Sequence, residues 1–309
     1  MEVKKISKDI YLLDPTPPIE GFKGFLASYI FLGEKVLLFE VGPTCAVEGV
    51  LEGLREVGIL PKDISYVAVS HIHADHAGGA GTLLKSLPNA KFIVHEKGAP
   101  HMVNPQKLWE STKKALGSLA EVYGVIEPVP AEKIVVGTEG LTLNLGEEFK
   151  VKVLETPGHA PHHLSLYRED TGEVFLGEAG GVYIQYLGAL RPSTPPPGFN
   201  FTQSLASLEK IRKLNPKRLY YTHFGFTEDT EKLKLYGEKL RLWLNIVLKG
   251  YREGKTSVNI FNEILAVDED AKRLAENERE KFFMINSVEG MIFYLKKYGY
   301  HGGKPEAFL

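Results

Sequence analysis

A single cysteine, Cys45, in 309 residues leaves no partner for an internal disulfide and no thiolate set for a structural zinc site. Net charge is almost as scarce. The 37 basic and 39 acidic residues give −2, which argues against the basic surface that nucleic-acid binding ordinarily requires. No apolar run approaches the roughly 18 residues needed to span a bilayer, and the opening Met1-Glu2-Val3-Lys4-Lys5 carries no secretory-type stretch. These absences lead to the expectation of a cytoplasmic protein with a small-molecule substrate and neither nucleic acid nor membrane as partner. With 43% hydrophobic residues, a chain of this length can bury one large core and carry an appended subdomain.

What is present is concentrated in one place. His71-Ile72-His73-Ala74-Asp75-His76 follows the apolar run Tyr66-Val67-Ala68-Val69-Ser70 and precedes the glycine-rich Ala77-Gly78-Gly79-Ala80-Gly81. Several imidazoles and a carboxylate at the end of a buried strand must all be desolvated and oriented at once, a cost that a divalent cation offsets. On an extended segment, residues two apart point the same way, so His71 and His73 can grip one ion, and Asp75 and His76, past the bend, can face a second. Nitrogen and carboxylate ligands without thiolate suit an open catalytic site, for zinc first and iron or manganese as alternatives.

The H-x-H-x-D-H pattern after a strand resembles the signature of the metallo-β-lactamase superfamily of metallohydrolases. Three further motifs follow in the family's order: Thr156-Pro157-Gly158-His159, Gly177-Glu178-Ala179, and Tyr220-Tyr221-Thr222-His223-Phe224-Gly225. The resemblance covers about the first three quarters of the chain. It implies that His71, His73 and His159 hold one ion, that Asp75, His76 and His223 hold another, and that Glu178 bridges them where the family usually has aspartate. Glu40 stands where the family often has a supporting aspartate and is expected to orient a ligand imidazole without touching metal. His163, four residues past His159, is expected to be a supporting or substrate-side group. His162 fits a structural role better, as do His95 and His101; His301, in a polar tail, has no role.

Short strand-like runs dominate the first 225 residues. Phe25 to Leu32 and Val36 to Glu40 read as a hairpin, 44–57 as a helix ended by Gly58, and 64–70 as a strand. Successive strands are expected at 134–136, 141–145, 149–155, 163–168 and 174–176. The predicted architecture is α/β: two sheets packed face to face with helices outside, the αββα four-layer sandwich that the resemblance also implies, with loops along one edge carrying the site. Residues 97–133 read as an insertion over that edge. Residues 183–201 read as a stiff, proline-rich overhang that presents Tyr183, Tyr186, Arg191 or Phe199 to a substrate. The sandwich is assigned to residues 1–226 and a C-terminal helical extension to 227–309, with helices over 230–249 and 270–298. Their apolar faces need cover from the sandwich or, alternatively, from a homodimer contact.

The expected activity is hydrolysis of an ester, lactone or phosphoester-type small molecule by a metal-bridging hydroxide between two divalent ions, with Asp75 as the catalytic proton carrier. A glyoxalase-II-like thioester hydrolase is the alternative within the same chemistry. A mononuclear iron persulfide dioxygenase is the alternative from redox chemistry, and a metal-binding protein without turnover is the third class. Fold alone does not choose among them.

Overall fold

Alternation of side chains along the strands builds the layers. The computed structural model describes residues 2–15 and 17–298; His301 lies outside them. The first sheet keeps chain order: β1 (Glu2–Lys5), β2 (Ile10–Asp14), β3 (Ser28–Leu32), β4 (Val36–Phe39), β5 (Ile64–Ala68), β6 (Lys91–His95) and β7 (Ile134–Gly137), antiparallel up to β4 and parallel beyond it. The second runs β15 (Gly225–Thr227), β14 (Arg218–Tyr221), β11 (Glu173–Phe175), β10 (Leu164–Arg168), β9 (Lys150–Glu155), β8 (Thr142–Asn144). A small hairpin, β12 (Val182–Ile184) with β13 (Ala189–Arg191), stands apart.

Tyr29, Phe31, Leu37 and Phe39 point inward to meet Val151, Val153, Leu164, Leu166, Phe175 and Tyr220 of the facing sheet. Their chain neighbours Ile30, Val36 and Leu38 point outward, under the helices α1 (Val47–Val57) and α3 (Ala80–Ser86). This is the period-2 division of a sheet buried on both faces. Gly58 closes α1 in the left-handed conformation at φ 84°, as its sequence position predicts. Between α1 and α3, β5 leads into the single turn α2 (Ala74–Ala77). The insertion forms α4 (Ala99–Val103), α5 (Gln106–Leu116) and α6 (Ser118–Tyr123).

On the outer face of the second sheet, Val174, Leu176, Leu219 and Tyr221 share one core with α7 (Phe201–Lys213) and the C-terminal helices α8 (Glu231–Arg252), α9 (Ser257–Leu265), α10 (Glu269–Leu274) and α11 (Glu278–Tyr298). Trp243, Val247, Met284 and Met291 are buried in it. The four-layer αββα order predicted from sequence is therefore the observed one, and the C-terminal helices thicken its outer layer.

Three local expectations are corrected. The run 183–201 opens with the β12–β13 hairpin, because Gly188 at φ 61° allows a reversal that the proline count obscured. The expected helix at 270–298 is two, broken between Leu274 and Glu278, and α9 was not foreseen. Side-chain caps set these boundaries: Thr256 accepts from Asn259 N, and Asp268 accepts from Asp270 N and Ala271 N.

Asp268 also accepts from Trp243 Nε1 at 2.8 Å and pairs with Lys239, with all three side chains buried. Replacing Asp268 by alanine strands the buried indole N–H of Trp243 and leaves the buried Lys239 ammonium only Asp270, at 3.3 Å. The expected cost is about 3 kcal/mol or more, read as a lower unfolding midpoint in denaturant with unchanged slope.

Candidate metal centre

Strand directions gather the site. Strands β9 and β11 are both antiparallel to β10, and β14 is parallel to β11. All three therefore end at the same edge, and His159, Glu178 and His223 lie in the turns that leave those ends. From the other sheet, the chain leaves β5 through His71 and His73. His73 is the N-cap residue of α2, which carries Asp75 and His76. The extended i, i+2 geometry expected for His71 and His73 is replaced by a bend: strand pairing stops at Ala68, and the two rings meet through different atoms, Nε2 of His71 and Nδ1 of His73, 2.8 Å apart.

His159 Nε2 lies 3.2 Å from His71 Nε2, 3.1 Å from His73 Nδ1 and 3.0 Å from Glu178 Oε2. Beside this group, His76 Nε2 and His223 Nε2 are 3.1 Å apart, each 3.7 Å from Asp75 Oδ2. Glu178 stands between the two groups, with Oε2 3.4 Å from His71 Nε2 and 3.3 Å from His76 Nε2. The structure thus brings together all seven side chains singled out in the sequence.

Tautomers decide what such a cluster can hold. His159 Nδ1 donates to Ser193 O at 3.0 Å, and His223 Nδ1 donates to Phe25 O at 2.7 Å. A carbonyl cannot donate, so each neutral ring carries its proton on Nδ1 and turns a lone pair on Nε2 into the cluster. His76 Nδ1 faces Glu40 Oε2 at 3.4 Å, which directs its Nε2 lone pair the same way. Lone pairs then oppose lone pairs and carboxylate oxygens at about 3 Å, an arrangement that a cation between them relieves. Donor chemistry and geometry both fit divalent metal.

The proton affinities agree. Burial, and next the neighbouring His159, push His73 down to about 3. Burial likewise lowers His71 and His223, so these rings are unprotonated at neutral pH, in the form that could hold a metal. His76 is opposite: burial disfavours its charge, but Asp75, Glu40 and Glu178 together hold it well above the ordinary imidazole value. Without metal, a proton on His76 supplies the missing positive charge. Uptake of metal at pH 7 is expected to release about one proton from this ring, measurable with a pH indicator in weak buffer; no release would overturn this assignment.

Two supporting groups hold the frame. Glu40, fully buried with φ 70°, accepts from Ser70 N at 3.2 Å while facing His76; the strand-end position is turned inward, not into solvent. His163 Nε2 accepts from Glu178 N at 3.0 Å, so its Nδ1–H must donate to Thr156 Oγ1 at 2.9 Å. Thr156 then donates to Ser165 Oγ, which donates to Leu176 O. This directional chain returns to the turn that bears Glu178, and burial keeps His163 neutral. Both nitrogens of His163 are engaged, so it has none left for a substrate.

His162 lines the neighbouring cavity, its pKa pushed down to about 2 by burial and then by His73 and His159. His95 Nδ1 accepts from Lys97 N at 2.9 Å, and His101 is an exposed residue of the cavity wall. That cavity, of about 650 Å³, opens onto His73, Asp75, His159, Glu178 and His223. Its walls come from α5, the segment 193–198 and α11. Of the four residues expected to overhang it, Arg191 alone lines it: Tyr183 and Phe199 are buried in the outer core, and Tyr186 is exposed elsewhere. Sequence reasoning missed the carbonyls of Phe25 and Ser193, since a backbone acceptor has no residue-type signal. It also missed Glu280, whose role depends on a partner 89 positions away, Arg191.

A family model for the Metallo-beta-lactamase superfamily matches residues 24–223. The metallo-beta-lactamase fold-containing protein ST1585 of Sulfurisphaera tokodaii is 29% identical over 272 residues, covering 79% of this chain and 97% of that one. The crystal structure of ST1585 aligns with a TM-score of 0.64 at 26% identity, over 77% of this chain and 87% of its own. The metallo-beta-lactamase family protein TTHA1429 of Thermus thermophilus aligns with a TM-score of 0.69 at 20% identity, over 96% and 95% of the two chains. An N-acyl homoserine lactonase of Bacillus thuringiensis is 25% identical over 181 residues, 58% of this chain and 62% of the lactonase.

Proposed function

This chain belongs to the metallo-β-lactamase superfamily, and on that footing we propose that it is a binuclear metallohydrolase of carboxylic esters or lactones. The observation that carries the reading is the pair of ligand groups, His71, His73, His159 with Glu178 and Asp75, His76 with His223, opening together onto one largely apolar cavity. A second complete group supports two ions over the single iron of a dioxygenase. The lactonase relative supports acyl over phosphoryl transfer, and zinc is the metal that nitrogen-rich, thiolate-free ligands favour first.

Divalent ions held here would supply a lowered pKa for water and polarisation of the scissile carbonyl. The chain's own groups do the rest. Glu178 fixes the separation of the two ligand groups. Glu40 and the carbonyls of Phe25 and Ser193 keep the ring lone pairs aimed inward. Asp75, the carboxylate with 18% side-chain exposure on the cavity side, is placed to take a proton from water and return it to the leaving oxygen. The apolar walls exclude bulk water and strengthen each of these interactions.

The test is a panel of esters, lactones, thioesters and phosphoesters, with elemental analysis of the same samples. Two ions per chain and turnover of an ester or lactone are expected. Asp75→Ala should lower kcat by ~10³-fold and His71→Ala should also lose metal, with both proteins folded. Turnover confined to phosphoesters, or retained in these variants, would reject the reading.

A further inference from the structure

The cavity wall carries an excess of positive charge that the metal ligands do not account for. Among the described residues its only carboxylates, Asp75 and Glu178, belong to the ligand groups, whereas Lys97, Lys107 and Arg191 are cations. The lysines are exposed; Arg191 is only 3% exposed, which makes its charge the costly one. Its Nε donates to Glu280 Oε2 at 2.7 Å and its Nη1 to Pro192 O at 3.2 Å. Nη2 has no hydrogen-bond partner among the described residues and is not fully buried.

Glu280 does not balance Arg191 alone. Its other oxygen, Oε1, accepts from Arg279 Nε at 3.0 Å, and Arg279 is buried as well. Two guanidinium groups therefore share one carboxylate, leaving one buried positive charge, with the free edge of Arg191 on the cavity side. Asn286, six residues along α11 from Glu280, lines the same cavity, and its side-chain amide makes no hydrogen bond within the described residues. Around these polar groups the wall is apolar, with Phe25, Leu108, Leu116 and Phe283. A guanidinium that shares its one carboxylate with a second guanidinium, and a free amide, in such a wall are satisfied by an anion attached to an apolar chain.

Building on the hydrolase reading, we propose that the substrate is the hemiester of a dicarboxylic acid: its ester lies at the paired ligand groups, its methylene chain against the apolar wall, and its free carboxylate on Arg191 Nη2 and Asn286. Water adds to the ester carbonyl carbon, the bond from that carbon to the alcohol oxygen breaks, and the alcohol leaves with a proton. The products are a dicarboxylate, an alcohol and one proton released to solvent, with no oxidant or reductant involved.

Matched probes test this: mono-4-nitrophenyl suberate against 4-nitrophenyl octanoate for turnover, and suberic acid monoamide against octanamide for binding by calorimetry, on metal-loaded protein. The hemiester should be preferred ~10- to 100-fold in kcat/KM, mainly through KM, and the monoamide bound more tightly by a like factor. Arg191→Gln should bring both ratios towards unity, and Asn286→Leu, which disturbs no bond of the fold, should lower both. If Arg191→Gln does not fold, Asn286→Leu decides. Equal use of both esters, or a preference untouched by these variants as when the carboxylate binds metal, overturns the proposal. Failure to cleave either ester rejects the hydrolase reading instead, and the binding ratio then still decides whether Arg191 and Asn286 receive an anion.

Discussion

Glutamine in place of Glu178 is expected to weaken metal binding ~100-fold or more and to lower hydrolysis by ~10³-fold, while the protein stays folded. Loss of a partner that merely supports a ligand costs ~10- to 100-fold, and Glu178 faces both ligand groups directly, within 3.4 Å of His71, His76 and His159. The substitution keeps volume and removes charge. Burial alone would raise the Glu178 pKa, but His159, His76 and His223 hold it well below the ordinary carboxylate range, so this anion is worth most where imidazoles or cations surround it. The hydrogen bond from Glu178 N to His163 is made by the backbone and survives. Elemental analysis after dialysis, with kcat on the ester that wild type prefers, measures the effect. A glutamine variant with two ions and wild-type turnover would remove Glu178 from the centre of the mechanism.

Removing metal from the wild-type protein is expected to lower its thermal midpoint by about 15 °C. A ligand present at about 1,000 times its dissociation constant stabilises the native state by about 4 kcal/mol, and two ions double that; for a chain of this size each kcal/mol moves the midpoint by about 2 °C. The apoprotein must also keep inward-facing lone pairs at about 3 Å without a cation, or hold a proton on His76 instead. Scanning calorimetry with and without chelator gives the shift. The Glu178→Gln variant should lose less on chelation, because a ~100-fold weaker site at the same metal level stabilises by only about 1.4 kcal/mol per ion. A midpoint indifferent to chelator in wild type would mean that the ligand cluster is held by the fold and not by an ion.

Stability towards acid offers a smaller check at the α11 clamp. Burial raises the Glu280 pKa, and the charges of Arg191 and Arg279 reverse this, leaving it below the usual 4.5. A depressed folded value means stability is fully present above pH 4.5 and lost as pH falls through the folded value. Glu280→Gln should therefore flatten the acid limb of the stability curve.

Most of the layer order was legible in advance, because a buried sheet imposes a period of two and helices impose caps. Tyr29 and Phe31 against Ile30 already divide inner from outer core. The ligand types were legible for a different reason: buried imidazoles and carboxylates at strand ends are too costly to be there without a charge to hold. The errors fell where a local signal was outvoted. Proline-rich composition hid the β12–β13 hairpin, and a continuous charged and apolar pattern hid the cap at Asp268 that opens α10 and the break that separates it from α11.

Sequence alone determined that two sheets would pack between helices and that histidine and carboxylate, not thiolate, would make up the groups that could hold a metal, since periodicity and desolvation cost are local properties of residues. Only the tertiary structure decided the tautomers, through the carbonyls of Phe25 and Ser193, and the surplus positive charge of the cluster of Arg191, Glu280 and Arg279. Those depend on groups brought within about 3 Å across large sequence separations, and hydrogen bonding and electrostatics are set by distance in space.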